Sequence, residues 1–219
     1  VTAKPDPQRQ NVLAAVRRGL ARTGPAAAPV WPVEPPLIPA AARGDGDLIA
    51  RFTAAAEAAA ASVERVAGPD ALGPAVAAWL TARNLPGELA VAPDPALDPA
   101  AAHGLLTVRR GTAGPGDLIA LTRARLGIAE TGSLLLTSSP ETPTGLNFLP
   151  DFHLVALDAS AVVATLEDAW ARLRQDHAGG WPRTVNLVAG PSRTGDIEQT
   201  IQLGAHGPRH LHILLVESR

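Results

Sequence analysis

The segment Phe152-His153-Leu154-Val155-Ala156-Leu157 constrains the fold more than any other stretch of the chain. It is a nearly continuous apolar run. It is far shorter than the ~20 residues a membrane span needs. It also lacks the in–out alternation of a sheet with one wet face. Such a run reads as a strand buried on both faces, which is the condition of a parallel sheet covered by other elements. The neighbouring sequence supplies the cover. Ser133 to Thr137 reads as a strand, and Ala161 to Arg174 as a helix with Val162, Val163, Leu166, Trp170 and Leu173 inward. Val185 to Ala189 reads as a strand, Asp196 to Leu203 as a short helix, and Leu211 to Val216 as a closing strand. Strand and helix in alternation predict an α/β fold with a mostly parallel sheet and helices on both faces.

The first half is sparser. Asp47 to Val66 predicts a helix capped by Asp47, with Leu48, Phe52, Ala55, Ala59 and Val63 on its apolar face. Its alanine run favours helix. Pro74 to Arg83 predicts a second helix. Glu88 to Ala92, Leu105 to Val108 and Asp117 to Thr122 are strand candidates. Asp6 to Arg22 predicts a helix with Val12, Leu13, Val16 and Leu20 on one side, ended by Gly24-Pro25. Thr23 to Gly46 then holds six prolines and no periodicity, as an extended arm would. The expected division is an N-terminal helix and Pro-rich arm over 1–46 and an α/β domain over 47–219.

Composition excludes several classes. The chain has 219 residues, 46% of them apolar, enough for a core without staples. It has no cysteine, so it offers no disulfide, no thiolate metal site, no cysteine nucleophile and no iron–sulfur cluster on its own thiolates. A net charge of −2 gives no basic footprint for nucleic acid. Val1 to Gln10 is polar and shows no secretory signal, so the expected location is the cytoplasm. A single lysine, Lys4, among 19 basic residues points to a GC-rich coding sequence. That weakens the meaning of any one Ala, Pro or Arg.

Open α/β sheets bind ligands in loops outside the carboxyl ends of their strands, and three loops are candidates. Gly190-Pro191-Ser192-Arg193-Thr194-Gly195-Asp196 offers backbone N–H groups, two hydroxyls and a guanidinium beside an expected helix start. It reads as an anion or carboxylate receptor built on Ser192, Arg193 and Thr194, or as simple capping by Asp196 with Gln199. Asp196 and Ile197 stand where a P-loop has Lys and Ser/Thr, which rejects a Walker nucleotide site. In Gly127-Ile128-Ala129-Glu130-Thr131-Gly132-Ser133, Glu130 lies between apolar segments. It is either an acid, base or nucleophile with a raised pKa, or a strand-end Glu that is solvated or paired with Arg123, Arg125 or Arg193. Thr131 and Gly132 would let a ligand approach the backbone. The third loop, His206 to His212, offers His206 beside Gly207 as a site-facing pair. His210 and His212 share one strand face, and no carboxylate at a metal-binding offset accompanies them. No GxSxG elbow and no GxGxxG fingerprint occurs, and no cofactor motif is recognisable.

Three stretches together resemble a known family. GIAETGSLLLTSS (Gly127 to Ser139), LPDFHLVALD (Leu149 to Asp158) and GPSRTGDIEQTIQLGAHGPRHLHILLVES (Gly190 to Ser218) resemble lactate utilization protein C, of the LUD domain group. The resemblance spans about Asp47 to Ser218. It implies a three-layer α/β fold similar to the NagB/RpiA/CoA transferase superfamily. It implies a role in oxidising L-lactate to pyruvate with two iron–sulfur partner proteins, which suits a chain without cysteine. By superfamily analogy it makes Glu130 a candidate attacking carboxylate. Family members often carry a basic residue ahead of the LLP stretch. Here Thr142 to Pro150 has none, so an anion would be held by Arg193 or bound more weakly. The site expected on these grounds comprises Glu130 and His206 as catalytic groups, with Thr131, Gly132, Ser192, Arg193, Thr194 and Gly207 holding a carboxylate or phosphate.

Overall fold

The computed structural model describes residues 7–20, 38, 46–177, 180–194, 202–204 and 206–217. The chain divides into two compact units, Val1–Pro36 and Leu37–Arg219. Within the first, helix α1 (Pro7–Gly19) occupies the expected place, and Val12, Val16 and Leu20 are exposed.

The second unit begins with α2 (Leu48–Ala58), capped by the Asp47 carboxylate, which accepts from the Ile49 N–H at 2.9 Å. The helix expected to run to Val66 stops here. Ala60 turns left-handed (φ 67°), with Ala61 N–H bonding the Ala56 carbonyl and Ala60 N–H that of Glu57. This is the C-terminal lock that glycine usually provides. The chain then extends into β1 (Ser62–Val66), where branched Val63 and Val66 suit a strand. Next come α3 (Leu72–Thr81), β2 (Glu88–Val91), the short α4 (Asp98–Ala101), β3 (Thr107–Arg110) and β4 (Ile119–Arg123). A hairpin of β5 (Leu126–Ile128) and β6 (Ser133–Thr137) follows, then β7 (Phe152–Asp158) and β8 (Val162–Val163). After α5 (Leu166–Asp176) come β9 (Val185–Val188), β10 (Arg193–Thr194), β11 (Gln202–Leu203) and β12 (His210–Val216).

Two further points bear on the sequence reading. The helix expected from Ala161 begins at Leu166, because Thr165 and Asp168 form a reciprocal capping box and the branched pair Val162-Val163 joins a sheet instead. The short helix expected over Asp196 to Leu203 falls largely outside the described residues, and its last two residues are strand β11.

Six strands form the main sheet in the order β1-β12-β7-β4-β2-β3, and every neighbouring pair is parallel. The α/β class with a mostly parallel sheet is therefore present. Sequence patterning did not reveal a second sheet, β8-β5-β6-β9, stacked on the first. Side-chain alternation shows the layers. On β7, Leu154 and Ala156 face a core shared with Leu72, Val76 and Leu80 of α3. Val155 and Leu157 face the opposite core with Phe52 and Ala56 of α2 and Leu134 and Leu136 of β6. Between those two on β6, Leu135 faces α5 through Ala169 and Leu173. The layers are helix, parallel sheet, helix plus second sheet, and helix. Fully burying a leucine contributes ~2 kcal/mol, so β7 anchors both central cores.

Candidate functional site

The loop that ends β9 and the loop that precedes β12 meet. Ser192 N–H donates to the Pro208 carbonyl at 2.8 Å, and Gly204 N–H to the Ser192 carbonyl at 2.9 Å. Between them opens a pocket of about 300 Å³ lined by Asn147, Phe148, His153, Leu187 to Arg193, His206 to Pro208 and Leu211. Its mouth carries exposed Phe148, Leu187, Arg193 and His206, and its depth carries buried His153 and Leu211.

Two glycines explain how the loops are seated. The β6–β9 pairing sets Leu134 opposite Val188, so Gly132 and Gly190 follow at neighbouring strand ends. Both have positive φ, 64° and 72°. A Cβ on Gly132 would strike the Ala56 backbone, and one on Gly190 the Ala59 carbonyl. The two loops therefore rest directly on the last turn of α2, as only glycine allows. This contact brings the Arg193 guanidinium to the Ala59 carbonyl, at 2.7 Å. One of its five N–H donors is spent on that helix end.

Of the expected residues, the pocket gathers Ser192, Arg193, His206 and Gly207. Glu130, Thr131 and Gly132 sit on the adjoining β5–β6 turn and are not in its lining. Glu130 is exposed, and its Oε2 accepts from the Leu166 N–H at the start of α5, at 3.2 Å. That is the arrangement of a carboxylate stabilising a helix N-terminus, and none of the three arginines expected as partners holds it. Thr131 donates its hydroxyl to Ser133 at 2.8 Å. Thr194 is buried within β10. The backbone anion cradle is not available at Ser192, whose N–H already serves Pro208.

The three loops do not share the geometry expected of them. Glu130 is on a hairpin, and His206 leads into a strand. The pocket lies at the amino ends of β7 and β12, since His153 and Leu211 are the second residues of those strands.

Sequence reasoning gave His153 no part in the pocket. The residue is fully buried. Its Nε2 lies 2.7 Å from Thr122 Oγ1, and its Nδ1 has no partner among the described residues. Burial lowers its pKa from 6.5 to about 3, so the ring is neutral at ordinary pH. The available signal was a lone polar residue inside an otherwise apolar strand.

The carboxyl edge of the main sheet is different. Strand order reverses between β2 and β4, the usual place for a ligand crevice. Two clefts, of about 230 and 270 Å³, adjoin Arg123 to Arg125 there. Arg123 pairs with Asp158 and, at 3.6 Å, with Asp94. Arg125 and Arg172 both pair with Asp176, at 2.8 and 3.4 Å. Burial works against the Arg123 charge, but its hydrogen bond and attraction to Asp158, with help from Asp94, raise its pKa.

His210 and His212 do share a face. His210 stacks on Phe152 (4.8 Å between centroids) and His212 on Trp79 (4.9 Å). Ser62 Oγ lies 2.8 Å from His212 Nδ1 and Glu64 Oε2 lies 3.4 Å from Nε2, a row that resembles a hydrolase triad. Burial first, then nearby Arg83, lowers the His212 pKa to about 4. That is too low for an efficient base near neutrality, and the row is best understood as packing beneath α3. No group of three metal-ligating side chains occurs among the described residues, and no described helix is long and apolar enough to cross a membrane.

Comparison with known proteins agrees with this architecture. A crystal structure of a DUF162 family protein from Deinococcus radiodurans is similar in fold, with a TM-score of 0.58 at 21% identity, over 77% of this chain and 96% of that one. An uncharacterized protein from Neisseria meningitidis serogroup B is 42% identical over 93 residues, 42% of this chain and 40% of the relative. Lactate utilization protein C from Bacillus licheniformis is 32% identical, and its namesake from Bacillus subtilis 30% identical, each over 103 residues. Those two matches span 46% of this chain and 43% of each relative, so the likeness covers less than half of the curated proteins. Residues 118–216, which hold β4 through β12 and the whole lining of the pocket, match the LUD domain.

Proposed function

We propose that this chain is a component of a lactate utilization system and binds a small carboxylate or phosphate-bearing ligand in the pocket between the β9 and β12 loops. The observation that carries the reading is the convergence of Ser192, Arg193, His206 and Gly207 on one pocket inside the LUD-matched stretch. The relatives named lactate utilization protein C support the system to which it is assigned. In this reading Arg193 turns its remaining N–H donors toward the anion, and a guanidinium suits a carboxylate by two parallel bonds. The Ser192 hydroxyl adds a neutral donor, Gly207 keeps the wall low, and His206 at the mouth is the group placed to move a proton. Thr194 supports the strand that carries Arg193. The chain has no cysteine, so iron–sulfur redox work in such a system belongs to partner proteins.

A second reading is favoured by one observation. Glu130 is bound to the start of α5 and is absent from the pocket lining, which among the described residues holds no acidic group. A non-catalytic module that senses an anion for its partners fits that composition better than a transferase using Glu130 as nucleophile.

A thermal-shift titration with L-lactate, pyruvate, inorganic phosphate, acyl-CoA, flavin and pyridine nucleotides tests the reading. A ligand that binds only the folded chain raises the melting temperature. The expected result is a shift with at least one anion that disappears in Arg193→Ala. Shifts that persist unchanged in that variant would move the site elsewhere.

A further inference from the structure

Helix α1 has no buried residue. Isolated helices shorter than about 12–15 residues are marginal in water, and most helices in proteins are held by packing an apolar face. At 13 residues α1 lacks that support. It does have the face. Val12, Val16 and Leu20 are spaced four apart, so they line one side, and they are 63%, 52% and 58% exposed. Leu20, just past the helix end, keeps a helical bond to the Val16 carbonyl at 3.0 Å. Half-buried Leu13 borders the stripe.

Charge narrows what covers it. The helix carries Arg9, Arg17 and Arg18 and no acidic residue. Arg9 is three residues from Val12 and Arg17 three from Leu20, which makes them neighbours on the helix surface. Over residues 1–22, five basic groups stand against Asp6, a net charge of +4. Residues 23–219 hold 14 basic and 20 acidic groups, a net charge of −6. Such an asymmetry marks the basic end as the part that meets an anionic surface. Between the two lie the 24 residues Thr23 to Gly46. A chain of that length spans up to ~80 Å, while exposed charges are screened within ~8 Å at physiological salt. An anionic surface can therefore attract the basic end without repelling the acidic remainder.

Three kinds of surface have that charge. Nucleic acid offers a sugar–phosphate exterior that gives an apolar stripe little to bury against. Protein interfaces centre on aromatic or arginine anchors set in shaped pockets, and α1 has no aromatic residue. A second copy of α1 would double the unbalanced positive charge. A bilayer interface demands no shape match, because apolar side chains enter the acyl boundary while long arginine stems carry their heads back to the phosphates. We propose that α1 is an interfacial anchor lying flat on a bilayer rich in anionic lipid. Val12, Val16 and Leu20 enter the acyl boundary, and Arg9 and Arg17 sit beside them among the headgroups.

Flotation of the full chain with vesicles tests this. One set is phosphatidylcholine alone. The other is three parts phosphatidylcholine to one part phosphatidylglycerol. The expected result is binding roughly tenfold stronger to the anionic set at low salt, mostly lost in ~0.5 M salt. Val12→Ser, Val16→Ser and Leu20→Ser together should weaken it roughly tenfold. Arg9→Gln with Arg17→Gln, which keeps helix propensity, should weaken it roughly as much. Equal binding to the two sets, or none to either, would overturn the proposal whether or not the variants fold. Binding to the anionic set that survives in both variants would overturn it too, since another surface would be the anchor. Absence of binding together with a dimer that dissociates in the serine variant would assign the stripe to a second copy instead.

Discussion

The two edges of the main sheet solve opposite problems. At the carboxyl edge, where strand order reverses, every arginine facing the clefts already has an aspartate: Arg123 with Asp94 and Asp158, Arg125 and Arg172 with Asp176. At the amino edge, among the described residues, the pocket holds an exposed guanidinium bound only to the Ala59 carbonyl and a buried imidazole with one nitrogen unmatched. Among the described residues the first edge is matched in charge and the second is not. Position relative to strand ends is thus a weaker guide to a binding site than the balance of donors, acceptors and charges left over after folding.

The comparison can be broken most severely at the amino edge. In Gly190→Val a branched side chain at φ 72° would meet the Ala59 carbonyl. Backbone strain and overpacking together should cost about 3 kcal/mol or more, seen as a lower denaturant midpoint, and the pocket should be lost with it. A fall of less than 1 kcal/mol would mean that the loop does not rest on α2.

Acid should sharpen the contrast. His153 and His212 have folded pKa values of about 3 and about 4, both below the ordinary 6.5. A depressed folded pKa means the unfolded chain takes up the proton first. Stability from the neutral rings is therefore present above pH ~6.5 and is lost as pH falls toward 3 to 4. Between pH 7.5 and 5 a buried neutral His contributes about 2 kcal/mol of that loss. His153→Phe should remove about that much of the difference between denaturation curves at the two pH values. An unchanged difference would show that His153 does not titrate as a buried ring.

The smallest effect is expected at the carboxyl edge. Asp158→Asn breaks a half-exposed ion pair and should cost ~1 kcal/mol or less, fading in high salt. A larger, salt-independent loss would mean that this edge carries structural weight comparable to the pocket.

Much of the fold was legible because burial on both faces leaves a continuous apolar run. Ser133 to Thr137 and the β7 run stand where their patterns put them. The end of α2 was not legible, because an alanine tract carries no stop signal and the turn at Ala60 uses no glycine. The capping box at Thr165 was present in the sequence, but the helical spacing of Val162, Val163 and Leu166 masked it. The second sheet was hidden for a different reason. Pairing partners such as Leu134 and Val188 are set by tertiary register, which a strand's own pattern does not encode. At the site, Arg193 and His206 were found from loop chemistry. The place of His153 was missed because the run around it reads as pure core.

The strand β12 lies between β1 and β7 although it comes after the other eleven described strands in the chain. Ser62 pairs with His212, 150 positions away along the chain. Until β12 arrives, β1 has no neighbour and β7 shows a bare flank, so half of the sheet cannot close. A chain wired this way must keep long-range partners waiting, which slows folding and exposes strand edges meanwhile. On the ribosome, therefore, the growing polypeptide would need protection from sticky self-association until β12 emerges from the tunnel.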